Sequence, residues 1–212
     1  MRARREHDKL SVDAGVTDEP RYGVDLYWLP LGAGGRSVRM NGRVFEAVAS
    51  RIARRPPSDL YHSALEVRVP AGTYAIEMTP IRDGEGRQRG VVATGAVGSR
   101  RVGWLRIFRY EVRCWCGGCI PDVGEAVESP RRLTADIESA QRVLDAVPQV
   151  PTLVWGRDEW GAGEMWNSNS LIAWLIARCG LPTESIHPPA GGRAPGWHAG
   201  LVVARDQERL AG

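Results

Sequence analysis

A chain of 212 residues with 43% hydrophobic content is long enough to bury a core, and its composition fits one globular domain. No apolar run approaches the roughly 18 residues needed to cross a bilayer, and the opening MRARREHDKL lacks the apolar stretch that follows a secretory n-region, so a soluble, cytoplasmic protein is expected. The net charge is only +3 and the basic residues are scattered among 25 acidic ones, which argues against nucleic acid as a partner.

Residues Met1 to Pro20 are polar, charged and without periodicity, and are read as a mobile tail ahead of a single α+β domain over 21–212. GVDLYWLPLGAGG has the alternation and aromatic content of a strand that Pro30 and the glycines stop. Asn41 is placed to cap a short helix with Val44, Val48 and Ile52 on one face, closed by Pro56 and Pro57. YHSALEVRVPAGTYAIEMTP holds two alternating runs joined at Pro70, Ala71 and Gly72, the pattern of a β-hairpin, with His62 at the beginning of its first strand. A short strand at Gly90 to Ala96 and a long one from Val102 to Trp115 complete a mainly antiparallel sheet.

Ser129-Pro130 has the form of a helix start, with Leu133, Ile137, Ala140 and Leu144 at helical spacing until Pro148, and Glu138 and Arg142 as an i,i+4 pair. MWNSNSLIAWLIARCG predicts a second helix ended by Gly180 and Pro182. PPAGGRAPGW reads as a loop, and HAGLVVA as a final short strand. Cys114, Cys116, Cys119 and Cys179 are too few and too clustered for a secreted disulfide framework, and CWCGGC lacks a second pair to complete tetrahedral zinc, so no metal and no cofactor are expected.

The chemistry centres on Ser168, set between Asn167 and Asn169 at the start of an almost wholly apolar helix. Its spacing with Ile172, Leu175 and Cys179 turns the hydroxyl toward whatever the helix packs on, and the unpaired N–H groups of the first turn favour a developing negative charge. Two readings stand: a cluster of capping side chains, or a nucleophile that needs a base from His62 or His198.

The order of these motifs, a histidine opening a hairpin (YHSALEV) followed later by Asn-x-Asn before an apolar helix (WNSNSLIAWL), resembles the PPPDE peptidases and, with them, the permuted NlpC-type amidases and lecithin:retinol acyltransferase within the permuted papain-like group. The resemblance spans Gly23 to about Gly180 and departs at the nucleophile, where Ser168 stands at the family's cysteine. It implies His62 as the base, Glu77 as its orienting group and Asn167 or Asn169 as supporting donors. Trp155, Arg157, Asp158, Glu159, Trp160 and Trp166 precede the helix and Arg193 and Trp197 follow it, forming a substrate rim on this reading. The expected activity is hydrolysis or acyl transfer on an amide, ester or thioester with a peptide, isopeptide or acyl substrate. The alternative is a non-catalytic binding module on the same scaffold, since a serine hydroxyl needs a more accurately placed base and oxyanion hole than a thiol does.

Overall fold

The computed structural model describes residues 21–31, 58–81 and 90–212. The expected N-terminal tail and the helix expected from Asn41 to Ile52 lie outside those residues. The architecture is mixed, with an antiparallel sheet and helices, as the alternating runs imply. The strands are β1 (Gly23–Pro30), β2 (Asp59–Val69), β3 (Gly72–Pro80), β4 (Val91–Ala96), β5 (Arg109–Cys116) and β6 (Val127–Thr134). They lie in the order β4-β5-β3-β2-β1-β6, and a two-residue strand, β7 (Gly192–Arg193), adds in parallel to the start of β2. Three α-helices are described: α1 (Ile137–Ala146), α2 (Ser168–Arg178) and α3 (Trp197–Ala211).

Strand alternation decides what each face of this sheet meets. Val24, Leu26 and Trp28 of β1, Tyr61, Leu65, Val67 and Val69 of β2, and Ile76 and Met78 of β3 bury themselves in the main core with Val143 of α1 and Leu171, Ile172, Leu175 and Ile176 of α2. The intervening residues face the other way. There Tyr27, Leu29, Ala64 and Ala75 pack with Ile120 in a small second cluster, flanked by charge. Asp25, 1% exposed, sits between the guanidinium groups of Arg68 and Arg132, and Arg113 bridges Glu77 and Glu111. A buried carboxylate is tolerated here because cations from both neighbouring strands compensate it.

Helix α2 is apolar all round because it is covered on every side, by β2 and β3 beneath and by α3 above. Ser170 lies beside Gly200, Trp174 Nε1 donates to Gln207 Oε1 at 2.7 Å, and Arg178 pairs with Glu208, so α2 and α3 run parallel with their N-termini at one end. Gly180, at φ +68°, turns the chain out of α2 as the sequence suggests.

Three expected elements are corrected. Ser129 caps no helix: it lies in β6, where its hydroxyl accepts from Trp28 N at 2.8 Å and donates to the Val127 carbonyl, filling a position where the β1–β6 ladder shifts register. The helix starts later, at Asp136, whose carboxylate accepts from Ser139 N at 2.8 Å. HAGLVVA is the first half of α3 and no strand, its Ala199, Val203 and Ala204 forming a helical stripe buried toward the core. The long strand expected over 102–115 begins only at Arg109, after a loop of two short 3₁₀ turns at Arg100–Val102 and Arg106–Phe108.

The α2–α3 contact depends on one missing side chain. A Cβ at Gly200 would stand 2.2 Å from the Ser170 carbonyl oxygen and 2.9 Å from Ala173 Cβ. Gly200→Ala is therefore expected to lower stability by about 2 kcal/mol through overpacking, read as a lower urea midpoint at unchanged slope.

Candidate functional site

The N-terminus of α2 is held by its own four-residue polar start. Asn167 is the N-cap, its side-chain oxygen accepting from Asn169 N (2.9 Å) and Ser170 N (3.3 Å), while Ser170 Oγ accepts from Asn167 N at 3.0 Å to close a capping box. The remaining donors reach outward. Asn167 Nδ2 donates to the Pro195 carbonyl (2.8 Å) and Ser170 Oγ to the Gly196 carbonyl (2.7 Å), which ties α2 to the entry of α3. Asn169, 3% exposed, donates through Nδ2 to the carbonyls of Tyr61 (3.0 Å) and Pro195 (2.9 Å) and accepts from Ser63 Oγ at 2.9 Å. It thereby pins the helix to β2.

These bonds locate His62. Ser63 faces α2, so the residues on either side of it in β2 face away, and His62 pairs across the ladder with Leu29 on the opposite face. His62 thus lies on the face of β2 opposite to the one that meets α2, and no hydrogen bond joins it to Ser168 among the described residues. Glu77 shares the face of His62 but pairs with Arg113. Burial lowers the His62 pKa from 6.5 to about 4, against a smaller opposing effect of Asp122, so the imidazole is neutral at physiological pH.

Ser168 is buried, and among the described residues its hydroxyl makes no hydrogen bond. His198 is exposed in the first turn of α3, at the end of the molecule where the α2 and α3 N-termini meet, and no hydrogen bond joins it to Ser168. Its backbone N–H and that of Gly196 donate instead to Glu164 Oε2, at 3.2 and 2.9 Å, a carboxylate on the positive end of α3.

The expected rim residues divide among other tasks. Trp197 packs against Trp28 with ring centroids 5.1 Å apart, Trp155 meets the edge of Tyr110 at 5.8 Å, and Trp166 is buried. Asp158 folds its own loop, accepting from Ala162 N and Gly163 N at 2.8 Å, and these N–H groups hold its carboxyl below the usual range. Arg193 lies in β7, hydrogen-bonded in register beside Leu60. None of these assembles around Ser168 into a described cavity. Burial pushes the Cys114 and Cys179 thiols up to about 11, and among the described residues no three His, Cys, Asp or Glu side chains cluster for a metal.

A concave surface lies elsewhere, at the end of the β4–β5 hairpin. A depression of about 270 Å³ is lined by Thr94, Arg100, Gly103, Arg109, Thr152 and Val154, and a second of about 240 Å³ adjoins it through Arg100 and Val154. Arg100 makes two bonds to Glu159, which in turn accepts from Val154 N at 2.7 Å. Arg109 donates to Thr94 Oγ1 and has no carboxylate partner among the described residues. Arg109 falls inside the long strand expected over 102–115, which hides this groove in the sequence; the signal available is SRRVGWLRIFR, whose arginines and glycine break the alternation of a strand. No family model, curated protein or solved structure matches the chain.

Asn169→Ala leaves Ser63 Oγ and two carbonyls without their partner and is expected to cost about 3 kcal/mol, whereas Ser168→Ala should change stability by less than about 0.5 kcal/mol, both measured by calorimetry. His62 binds its proton in the unfolded chain at 6.5 but in the folded chain only near 4, so stability is complete above pH 6.5 and falls as pH drops toward 4, by at most about 3 kcal/mol. His62→Gln should flatten that part of the stability–pH curve.

Proposed function

We propose that this chain is a non-catalytic binding module, related to the permuted papain-like scaffold by its element order, whose groove at the β4–β5 hairpin takes an anionic group of phosphate or carboxylate type. The observation that carries the non-catalytic reading is the alternation of β2. It directs Ser63 to α2 and His62 to the far face, and no hydrogen bond joins Ser168 to His198 among the described residues, which supports a hydroxyl without the base that attack by an alcohol needs. The polar cluster around Ser168 spends its hydrogen bonds on the backbone of α2, β2 and the α3 entry. Its role is structural.

The anionic ligand is supported by the chemistry of the groove. A guanidinium presents a planar fork of donors that fits phosphate or carboxylate oxygens in pairs, and Thr94 and Thr152 add hydroxyls on the same surface. Arg109 is half-buried and steadied by Thr94, which reduces the ordering needed on binding. Arg100 is held by Glu159, whose carboxyl that arginine keeps below its usual range. A 270 Å³ depression suits a group of a few heavy atoms, near the lower end of the roughly 300–1,000 Å³ typical of ligand sites.

The tests separate the two halves of the proposal. A fluorophosphonate probe should leave Ser168 unlabelled; labelling that disappears in His198→Ala would restore the hydrolase reading. Titration with inorganic phosphate, followed by NMR, should perturb the amides of Thr94 and Arg109, and Arg109→Gln should weaken binding about tenfold or more, the share of one charge-assisted contact. Equal affinity in that variant would remove the groove.

A further inference from the structure

We infer that the loop joining β4 to β5 docks on an anionic phospholipid surface, with its apolar tip entering the interface and the adjacent groove meeting a headgroup phosphate. The inference rests on the anion-binding reading of the groove and extends it to the source of the anion. Three large apolar side chains stand exposed within five residues of this loop: Trp104 at 77%, Ile107 at 63% and Phe108 at 38%. Single exposed apolar residues are ordinary on a soluble surface, but a concentration of this kind marks an interaction site. Within the loop itself the charge has one sign. Residues 98–109 hold Arg100, Arg101, Arg106 and Arg109 and no acidic residue, in a chain whose total charge is only +3. Arg101 and Arg106 are exposed and have no ion pair among the described residues.

The exposure is a built feature. At the loop's base Val97 N donates to the Phe108 carbonyl and Gly98 N to the Trp155 carbonyl, both at 2.8 Å, and Arg157 Nε donates to the Gly98 carbonyl at 2.6 Å. Within the loop, Ser99 accepts from Arg101 N, Gly103 N donates to the Arg100 carbonyl, and Phe108 N to that of Leu105. The Arg100–Glu159 pair ties the loop to the strap over 153–159. A turn fixed at this many points presents Trp104 and Ile107 outward without further ordering cost. Among the described strands, β4 is the edge of the sheet, and the loop continues from its end.

The mixture selects the partner. An indole with aliphatic and phenyl groups, ringed by arginines, matches the zone between headgroups and acyl chains, where apolar side chains are buried and cations meet lipid phosphate. Single-stranded nucleic acid could stack on Trp104 and Phe108, but it leaves the aliphatic Ile107, 63% exposed, without an apolar medium to enter. The association inferred is a peripheral one, made by the loop and the groove; no described helix is long and apolar enough to cross a membrane.

Flotation of the full chain with vesicles tests this. Vesicles of phosphatidylcholine mixed with an equal share of phosphatidylserine should carry the protein, vesicles of phosphatidylcholine alone should carry far less, and high salt should release it. Trp104→Ser with Ile107→Ser should reduce binding about tenfold or more, and Arg101→Gln or Arg106→Gln about fivefold each, with the circular dichroism of the protein unchanged. The Trp104/Ile107 variant should still bind inorganic phosphate like the parent protein. Phosphate binding without vesicle binding overturns the docking and spares the groove; loss of both removes the groove reading as well. Vesicle binding that the Trp104/Ile107 variant retains, or binding of a single-stranded oligonucleotide in place of vesicles, also overturns it.

Discussion

One buried amide holds the two layers of this protein together. Asn169 uses both hydrogens and its oxygen on partners from β2 and the entry to α3, so the position and rotation of α2 on the sheet follow from where that side chain finds its bonds. In a low-dielectric interior each bond is strong and each unmade one costly, which gives a single arrangement of the helix an advantage over its neighbours. Leu171, Ile172 and Leu175 then pack in the register the amide allows. Hydrophobic burial supplies the bulk of the stability, and the amide selects which buried arrangement forms.

The same contact decides the chemistry. Once Ser63 is turned toward the helix, a period of two sends His62 to the far face, where burial keeps it neutral beside an apolar cluster and bands of paired charge. A histidine one position along the strand would face the helix. A single residue of β register thus decides which face of the sheet the imidazole occupies. Polar residues around Ser168 are numerous because two parallel helix starts and a strand edge need their backbone groups satisfied at one place, and Asn, Ser and Glu164 meet that need.

Much of the architecture was legible where local pattern and tertiary demand agree. The hairpin from Tyr61 to Pro80 shows its two strands because one face is main core and the other carries charge around a small apolar cluster, and α2 shows its cap, its apolar body and its glycine stop in order. Legibility failed where one local pattern serves two structures. Ser129-Pro130 fits a helix start as well as a strand whose serine replaces a ladder partner, and GLVVA is β-branched yet helical because Gly200 and Ala204 let α3 settle on its neighbour. His62 was legible as a residue of the hairpin; its face was not, because register depends on Asn169, more than a hundred positions away. Arg109 and Trp104 were hidden for a related reason. Aromatic and β-branched residues signal a strand whether or not a neighbouring strand exists to receive them.

The pairing of β1 with β6 joins distant parts of the chain: Trp28 N reaches Ser129 Oγ across 101 positions, and Asp25 reaches Arg132 across 107. Closing such large loops loses chain entropy well before the contacts that reward it are complete, and proteins dominated by non-local pairing fold more slowly than those built from neighbours. The β2–β3 hairpin, with a two-residue connection, has no such barrier. The early chain therefore carries its half of the sheet as an open edge until β6 arrives, and Arg68 beside Asp25 keeps that waiting edge charged and ill-suited to pairing with other molecules.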